Sequence, residues 1–159
     1  MAVLKNQDKV LAYSHLEKSK GKHILIVATE WNTEVVDKQL EGAQKIAEDL
    51  GIKTTVLYVP GAIEIPYGVK VGVTKAAYDG VITFGAVIRG GTPHFDYVCA
   101  EASKGVATVS LNSEKPVAFG ILTTNSIEEA IERAGTKAGN KGYDAAVTAI
   151  EMANLMKLF

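Results

Sequence analysis

Short apolar runs alternate along this chain with stretches whose apolar residues recur at helical spacing. Ile24-Leu25-Ile26-Val27-Ala28 is continuously apolar, which predicts a strand buried on both faces. From Asn32 to Leu50 the apolar positions Val36, Leu40, Ala43, Ala47 and Leu50 keep a helical period, and Gly51 ends the helix. Thr54 to Val59 reads as a second strand, broken by Pro60-Gly61, and a helix is expected from about Ile65, finishing before Asp79-Gly80. A third strand covers Val81 to Phe84, a helix runs from Pro93 to about Leu111, and Pro116 to Leu122 forms a fourth strand. Two helices, Ser126–Ala134 and Asn140–Leu158, close the pattern, with Gly135 and Gly139 between them.

Strands alternating with helices predict an α/β sandwich around a parallel sheet, joined by right-handed crossovers. Ligands on such sheets gather beyond the carboxyl ends of the strands. Here those ends are Glu30-Trp31-Asn32, Pro60-Gly61-Ala62-Ile63-Glu64, Ile88 to His94, and Leu122-Thr123-Thr124. The glycine-rich and polar signals of the chain fall in these places.

The segment from Gly85 to Tyr97 carries the most chemistry. The third strand is expected to enter a glycine-rich turn at Gly85, with Thr92 as N-cap and Pro93 at the first helical position. Free N–H groups at a helix start attract an anion, and Gly90-Gly91 let a phosphate approach the backbone. His94 lies in the first turn, where the helix dipole disfavours an imidazolium and favours a neutral base. Arg89 either binds phosphate or holds the loop through carbonyl hydrogen bonds. Together these groups suggest chemistry on a small phosphorylated molecule.

Composition narrows the setting. The 159 residues suit one compact domain (residues 21–159) after a polar N-terminal arm (residues 1–20). Lysine plus arginine (17) nearly balances aspartate plus glutamate (18), so no global field favours nucleic acid or membrane. Cys99 is the only cysteine, which excludes an intrachain disulfide or a CxxC metal site and suits a cytoplasmic setting. No apolar stretch approaches membrane-spanning length.

Most candidates have a structural reading beside the functional one. Trp31 either covers the sheet edge or stacks on a planar heterocycle, with Asn32 offering donor and acceptor beside it. Glu64 either favours the positive end of the next helix or accepts hydrogen bonds from sugar-like hydroxyls. Asp96, two residues beyond His94, faces away from it on an ideal helix, which argues against a simple His–Asp pair and for dipole stabilisation. On spacing alone Arg133, Lys137 and Lys141 are structural or solvated cations. Nothing resembles a P-loop, a zinc site or a nucleophile elbow.

Several blocks together go further. Pro60 to Pro66, Gly85 to Val98, Pro116 to Leu122, Glu132-Arg133-Ala134-Gly135, Gly139-Asn140-Lys141-Gly142 and Ala149 to Leu155 strongly resemble the 6,7-dimethyl-8-ribityllumazine synthase family. The resemblance runs from about Ile24 to Leu158. It implies a flavodoxin-like three-layer sandwich with a four-stranded parallel sheet, and the penultimate step of riboflavin biosynthesis. In that step 5-amino-6-(D-ribitylamino)uracil condenses with 3,4-dihydroxy-2-butanone 4-phosphate, with loss of phosphate and water and without metal or organic cofactor.

By the same resemblance Trp31 matches the aromatic that stacks on the pyrimidine, and Asn32 its polar neighbour. Ala62, Ile63 and Glu64 match the segment that binds the ribityl chain, and Val87 and Ile88 the strand end that reads the pyrimidine edge. Gly91 and Thr92 match the phosphate loop, His94 the proton-transfer residue, Phe119 a ring contact, Arg133 the phosphate-binding arginine and Lys141 a ribityl contact. The last three are implied to come from a neighbouring subunit of a pentamer, which reverses the spacing-based reading of Arg133. The segment Gly135 to Gly142 lacks an insertion that marks pentameric or decameric relatives, which favours a 60-subunit icosahedral shell. Trp31 stands where many relatives carry phenylalanine, Glu30 where a basic residue is frequent and Ile63 where an aromatic is. A non-catalytic flavin- or lumazine-binding shell protein is the rival reading.

Overall fold

The apolar runs become four strands: β1 (His23–Thr29), β2 (Lys53–Val59), β3 (Gly80–Ile88) and β4 (Val117–Thr124). In the computed structural model, which describes residues 16–156, they form one parallel sheet in the order β2-β1-β3-β4. The connecting helices are α1 (Thr33–Asp49), α2 (Ile65–Lys75), α3 (His94–Asn112), α4 (Ile127–Arg133) and α5 (Lys141–Leu155). Residues 1–15 of the expected arm, and the expected last helix beyond Met156, lie outside the described residues. Leu16–Ser19 form a single 3-10 turn, and Leu16 is buried in the core.

Side chains alternate across a strand, so a continuously apolar strand feeds two cores at once. Ile24, Ile26 and Ala28 pack with Val36, Leu40, Ala43 and Ala47 of α1 and with Ala146, Ala149 and Ile150 of α5. Leu25 and Val27 point the other way, onto Ile65 and Val69 of α2 and Ala102 and Val106 of α3. A third cluster joins Val35, Ala86, Leu122, Ala130 and Ala134, and seats α4 on the α1 side. The result is the expected flavodoxin-like sandwich, with its strand order reversing beside β1.

Glycine decides the closest contact between helices. A Cβ on Gly142 would fall on the Gln39 backbone, and one on Gly42 would sit 2.5 Å from the Asn140 side chain. That closeness lets Asn140 cap α5 through Gly142 N–H (2.8 Å) and Tyr143 N–H (3.2 Å) while its amide donates to Lys38 O (2.8 Å).

Three local expectations change. β3 does not stop at Phe84: Gly85 to Ile88 continue the ladder opposite Ile121 to Thr124. Gly85 serves close packing rather than a turn, since a Cβ there would lie 3.1 Å from Thr29 Cγ2. Thr92 does not cap α3; Pro93 occupies the cap with no side-chain hydrogen bond, and His94 is the first helical residue. Between α4 and α5 a small antiparallel hairpin forms, β5 (Ala134–Thr136) with β6 (Gly139–Asn140).

Candidate functional site

Three strand ends meet at the carboxyl edge of the sheet. After β1 the chain keeps pairing with the end of β2, with Glu30 N–H on Val59 O (2.8 Å) and Trp31 N–H on Pro60 O (3.3 Å). Asn32 then takes a left-handed conformation (φ 58°) as the cap of α1. Its side chain donates across the strand reversal to Ala86 O at 2.7 Å instead of capping the helix.

Trp31 is 66% exposed, so it adds little to the core. Its ring lies against Gly61, where an added Cβ would be 2.8 Å from Cε3 and Cζ3 and 3.2 Å from Glu64 Oε2. Ring and carboxylate thus converge on one glycine. Ala62–Glu64 form a 3-10 turn, with Ala62 buried, Ile63 exposed, and Glu64 Oε2 accepting from Gly61 N–H at 3.1 Å. The turn itself, and Glu64's bond back to Gly61, gave no periodic signal in three residues. Glu64 is thereby held at the turn that precedes α2 through Oε2.

The extra length of β3 leaves part of its backbone without a neighbour on the β1 side. Pairing with β1 ends at Ala28 opposite Phe84, whereas pairing with β4 runs on to Ile88. Beyond Phe84 one backbone edge of β3 therefore has no strand beside it. Ala86 O on that edge is taken by Asn32. By strand alternation Ile88 presents its N–H and C=O on the same side, where β1 does not reach. Val87 is buried and Ile88 half-buried.

Gly90, Gly91, Thr92 and His94 are exposed, and a Cβ on either glycine would meet nothing within 4 Å. The turn is open enough for an anion to reach the backbone. Asp96 pairs with Arg89 at 3.1 Å and not with His94. Of the two roles the sequence left open for Arg89, the carbonyl bonds are not the ones formed; its guanidinium holds side chains, with Asn125 Oδ1 accepting from Nε at 3.1 Å.

Phe119, Arg133 and Lys141 do not join this crevice within the chain. Phe119 lies on the edge strand opposite Thr83, five residues or about 16 Å short of the strand end. It is 45% exposed and faces Ser103, Val106, Ala107 and Leu111 of α3. Arg133 ends α4, which runs back from the carboxyl end of β4 for about 10 Å, and its Nη1 donates to Glu129 O at 2.9 Å. Lys141 opens α5 and pairs with Asp144 at 2.9 Å. These are the three positions that the resemblance assigns to a neighbouring subunit.

A family model of 6,7-dimethyl-8-ribityllumazine synthase matches residues 21–157. The chain belongs to that family. As a lumazine synthase family member it is placed in riboflavin biosynthesis, among transferases acting on small molecules. The match takes in every strand and helix described above. Among the described residues no helix is long and apolar enough to cross a membrane, and no group of three His, Cys, Asp or Glu is placed to hold a metal ion. A groove of about 740 Å³ lies between α2 and α3, away from the strand ends.

Proposed function

We propose that this chain condenses 5-amino-6-(D-ribitylamino)uracil with 3,4-dihydroxy-2-butanone 4-phosphate to give 6,7-dimethyl-8-ribityllumazine, phosphate and water. What carries this reading is the convergence of Trp31 and Glu64 on Gly61, at the sheet end that also bears the glycine turn and His94. A planar heterocycle stacks on Trp31, its edge meets the Val87–Ile88 backbone, and the ribityl hydroxyls donate to Glu64 beside Ala62 and Ile63. Asn32 shapes that wall through its bond to Ala86.

The phosphate of the second substrate rests on the N–H groups of Gly91 and Thr92 at the start of α3. A neighbouring subunit adds Phe119 against the ring, Lys141 toward the ribityl chain and Arg133 on the phosphate. Arg133 spends one Nη1 donor on Glu129 O, and its remaining donors form the fork that suits phosphate. The amine attacks the ketone and water leaves to form an imine; phosphate is then eliminated, the ring closes and a second water departs. His94 moves protons in these steps, and the fixed pose of two substrates supplies much of the acceleration. Pentamers, and a 60-subunit shell given the short Gly135–Gly142 segment, complete the reading, in a cytoplasmic setting that suits the lone Cys99.

The test mixes the protein with both substrates and follows lumazine fluorescence and phosphate release. His94→Ala is expected to lower kcat by about 10²- to 10⁴-fold with little change in affinity for the pyrimidine substrate. Folded, assembled protein that binds lumazine yet gives no turnover above the spontaneous rate supports the carrier reading instead.

A further inference from the structure

We propose that Arg89 is a positioning residue, a clamp that fixes the glycine turn and the start of α3 beneath His94, and not a ligand of the substrate phosphate. The inference rests on the reading of His94 and this turn given above.

Arg89 is rooted in the sheet, its N–H donating to Thr124 O at 2.9 Å. From there its guanidinium reaches three partners. Nε donates to Asn125 Oδ1 at 3.1 Å, Nη2 to Asp96 Oδ1 at 3.1 Å, and the guanidinium carbon lies 4.1 Å from the centre of the Phe95 ring. Phe95 and Asp96 directly follow His94, so the contacts close a chord across residues 90–94. Asn125 is itself held, since its N–H donates to Glu129 Oε2 at 3.0 Å.

The turn has little else to define it. A Cβ added at Gly90 or Gly91 would meet nothing within 4 Å, and the cap of α3 makes no side-chain bond. Only a planar fork with an aromatic-stacking face can serve Asn125, Asp96 and Phe95 together, which a lysine ammonium cannot. Asp96 also opposes phosphate binding by Arg89, because an anion at the guanidinium would meet that carboxylate. The pair is exposed, 43% and 61% at the two side chains, so it adds little to global stability. Its effect is local.

The experiment compares the full-length chain with Arg89→Met, Arg89→Lys, Asp96→Asn and the Arg89→Met/Asp96→Asn double variant. Arg89→Met is expected to lower kcat by about ten- to a hundredfold, while KM for the butanone phosphate and inhibition by inorganic phosphate change by less than about threefold. The double variant is expected to be no slower than Arg89→Met, and Arg89→Lys to recover part of the rate. Amide hydrogen exchange of residues 90–96 is expected to quicken in Arg89→Met and Asp96→Asn with exchange in β1 unchanged. A rise in KM and in the phosphate inhibition constant that matches the loss of kcat would make Arg89 a phosphate ligand and overturn the proposal. So would additive losses in the double variant, or unaltered exchange. If the wild-type chain makes no lumazine, the proposed function fails, and the exchange comparison still decides the clamp.

Discussion

At the scale of single residues, the crevice is built from side chains that each satisfy one local need. Glu64 answers Gly61 N–H with Oε2, Asn32 answers Ala86 O with its amide, and Trp31 lies on Gly61 with most of its surface in water. Gly61 is the hinge of that arrangement. Gly61→Ala would drive a methyl group into the indole ring and toward the carboxylate. Because Trp31 is exposed it can swing aside, so the stability change is expected to stay within about 1 kcal/mol. The pyrimidine substrate is expected to bind about tenfold more weakly, read from quenching of the single tryptophan's fluorescence on titration. Unchanged affinity would remove Trp31 and Glu64 from the site. These roles were half-legible in the sequence: residue type and position after a strand marked Trp31 and Glu64, but their common contact with Gly61 depends on two loops meeting.

At the scale of elements, periodicity identified what packs, and contacts between elements decided where each one stops. The α1 positions Val36, Leu40, Ala43 and Ala47 stand in the core as their spacing requires, since a helical stripe has one face to bury. Gly85 resisted the same logic, because a glycine that admits a neighbouring side chain looks like one that makes a turn. The α1–α5 contact gives a sharp stability test. Gly142→Ala is expected to cost about 1–3 kcal/mol through overpacking on the Gln39 backbone, measured as a lowered urea midpoint with an unchanged slope. At the far edge of the sheet, burial and the charge of Lys53 hold His23 below its ordinary pKa of 6.5, with Asp79 opposing. Its Nε2 is 2.8 Å from Thr55 Oγ1 and its ring meets Tyr78 edge-on at 4.7 Å. The unfolded chain binds this proton more readily, so the His23 contribution is complete above pH 6.5 and declines as pH falls through the depressed folded value. His23→Gln is expected to flatten the fall in stability below pH 6.5, followed by urea unfolding at several pH values.

For the whole molecule, the expected site divides into a crevice at three adjoining strand ends and three residues, Phe119, Arg133 and Lys141, that lie elsewhere on the same chain. The proposed function assigns that division to a site shared between symmetry-related copies. Mixing His94→Ala subunits with Arg133→Ala subunits, unfolded and reassembled together, is then expected to restore about a quarter of the wild-type sites, since each interface draws one chain from each side at random. Activity no higher than the two variants measured apart would place the whole site within one subunit. The sequence by itself determined the architecture, because strand and helix periods, turn residues and a mirrored balance of charge are local properties that one chain carries openly. It also determined which residue types crowd the strand ends, since parallel strands joined by helices present one edge to ligands. Only the tertiary structure decided that β3 outruns β1 and leaves a backbone edge at Ile88, because ladder length depends on which neighbour reaches how far. Only it decided that Arg89 pairs with Asp96 and donates to Asn125, because a guanidinium's partners are whichever acceptors the fold brings nearest.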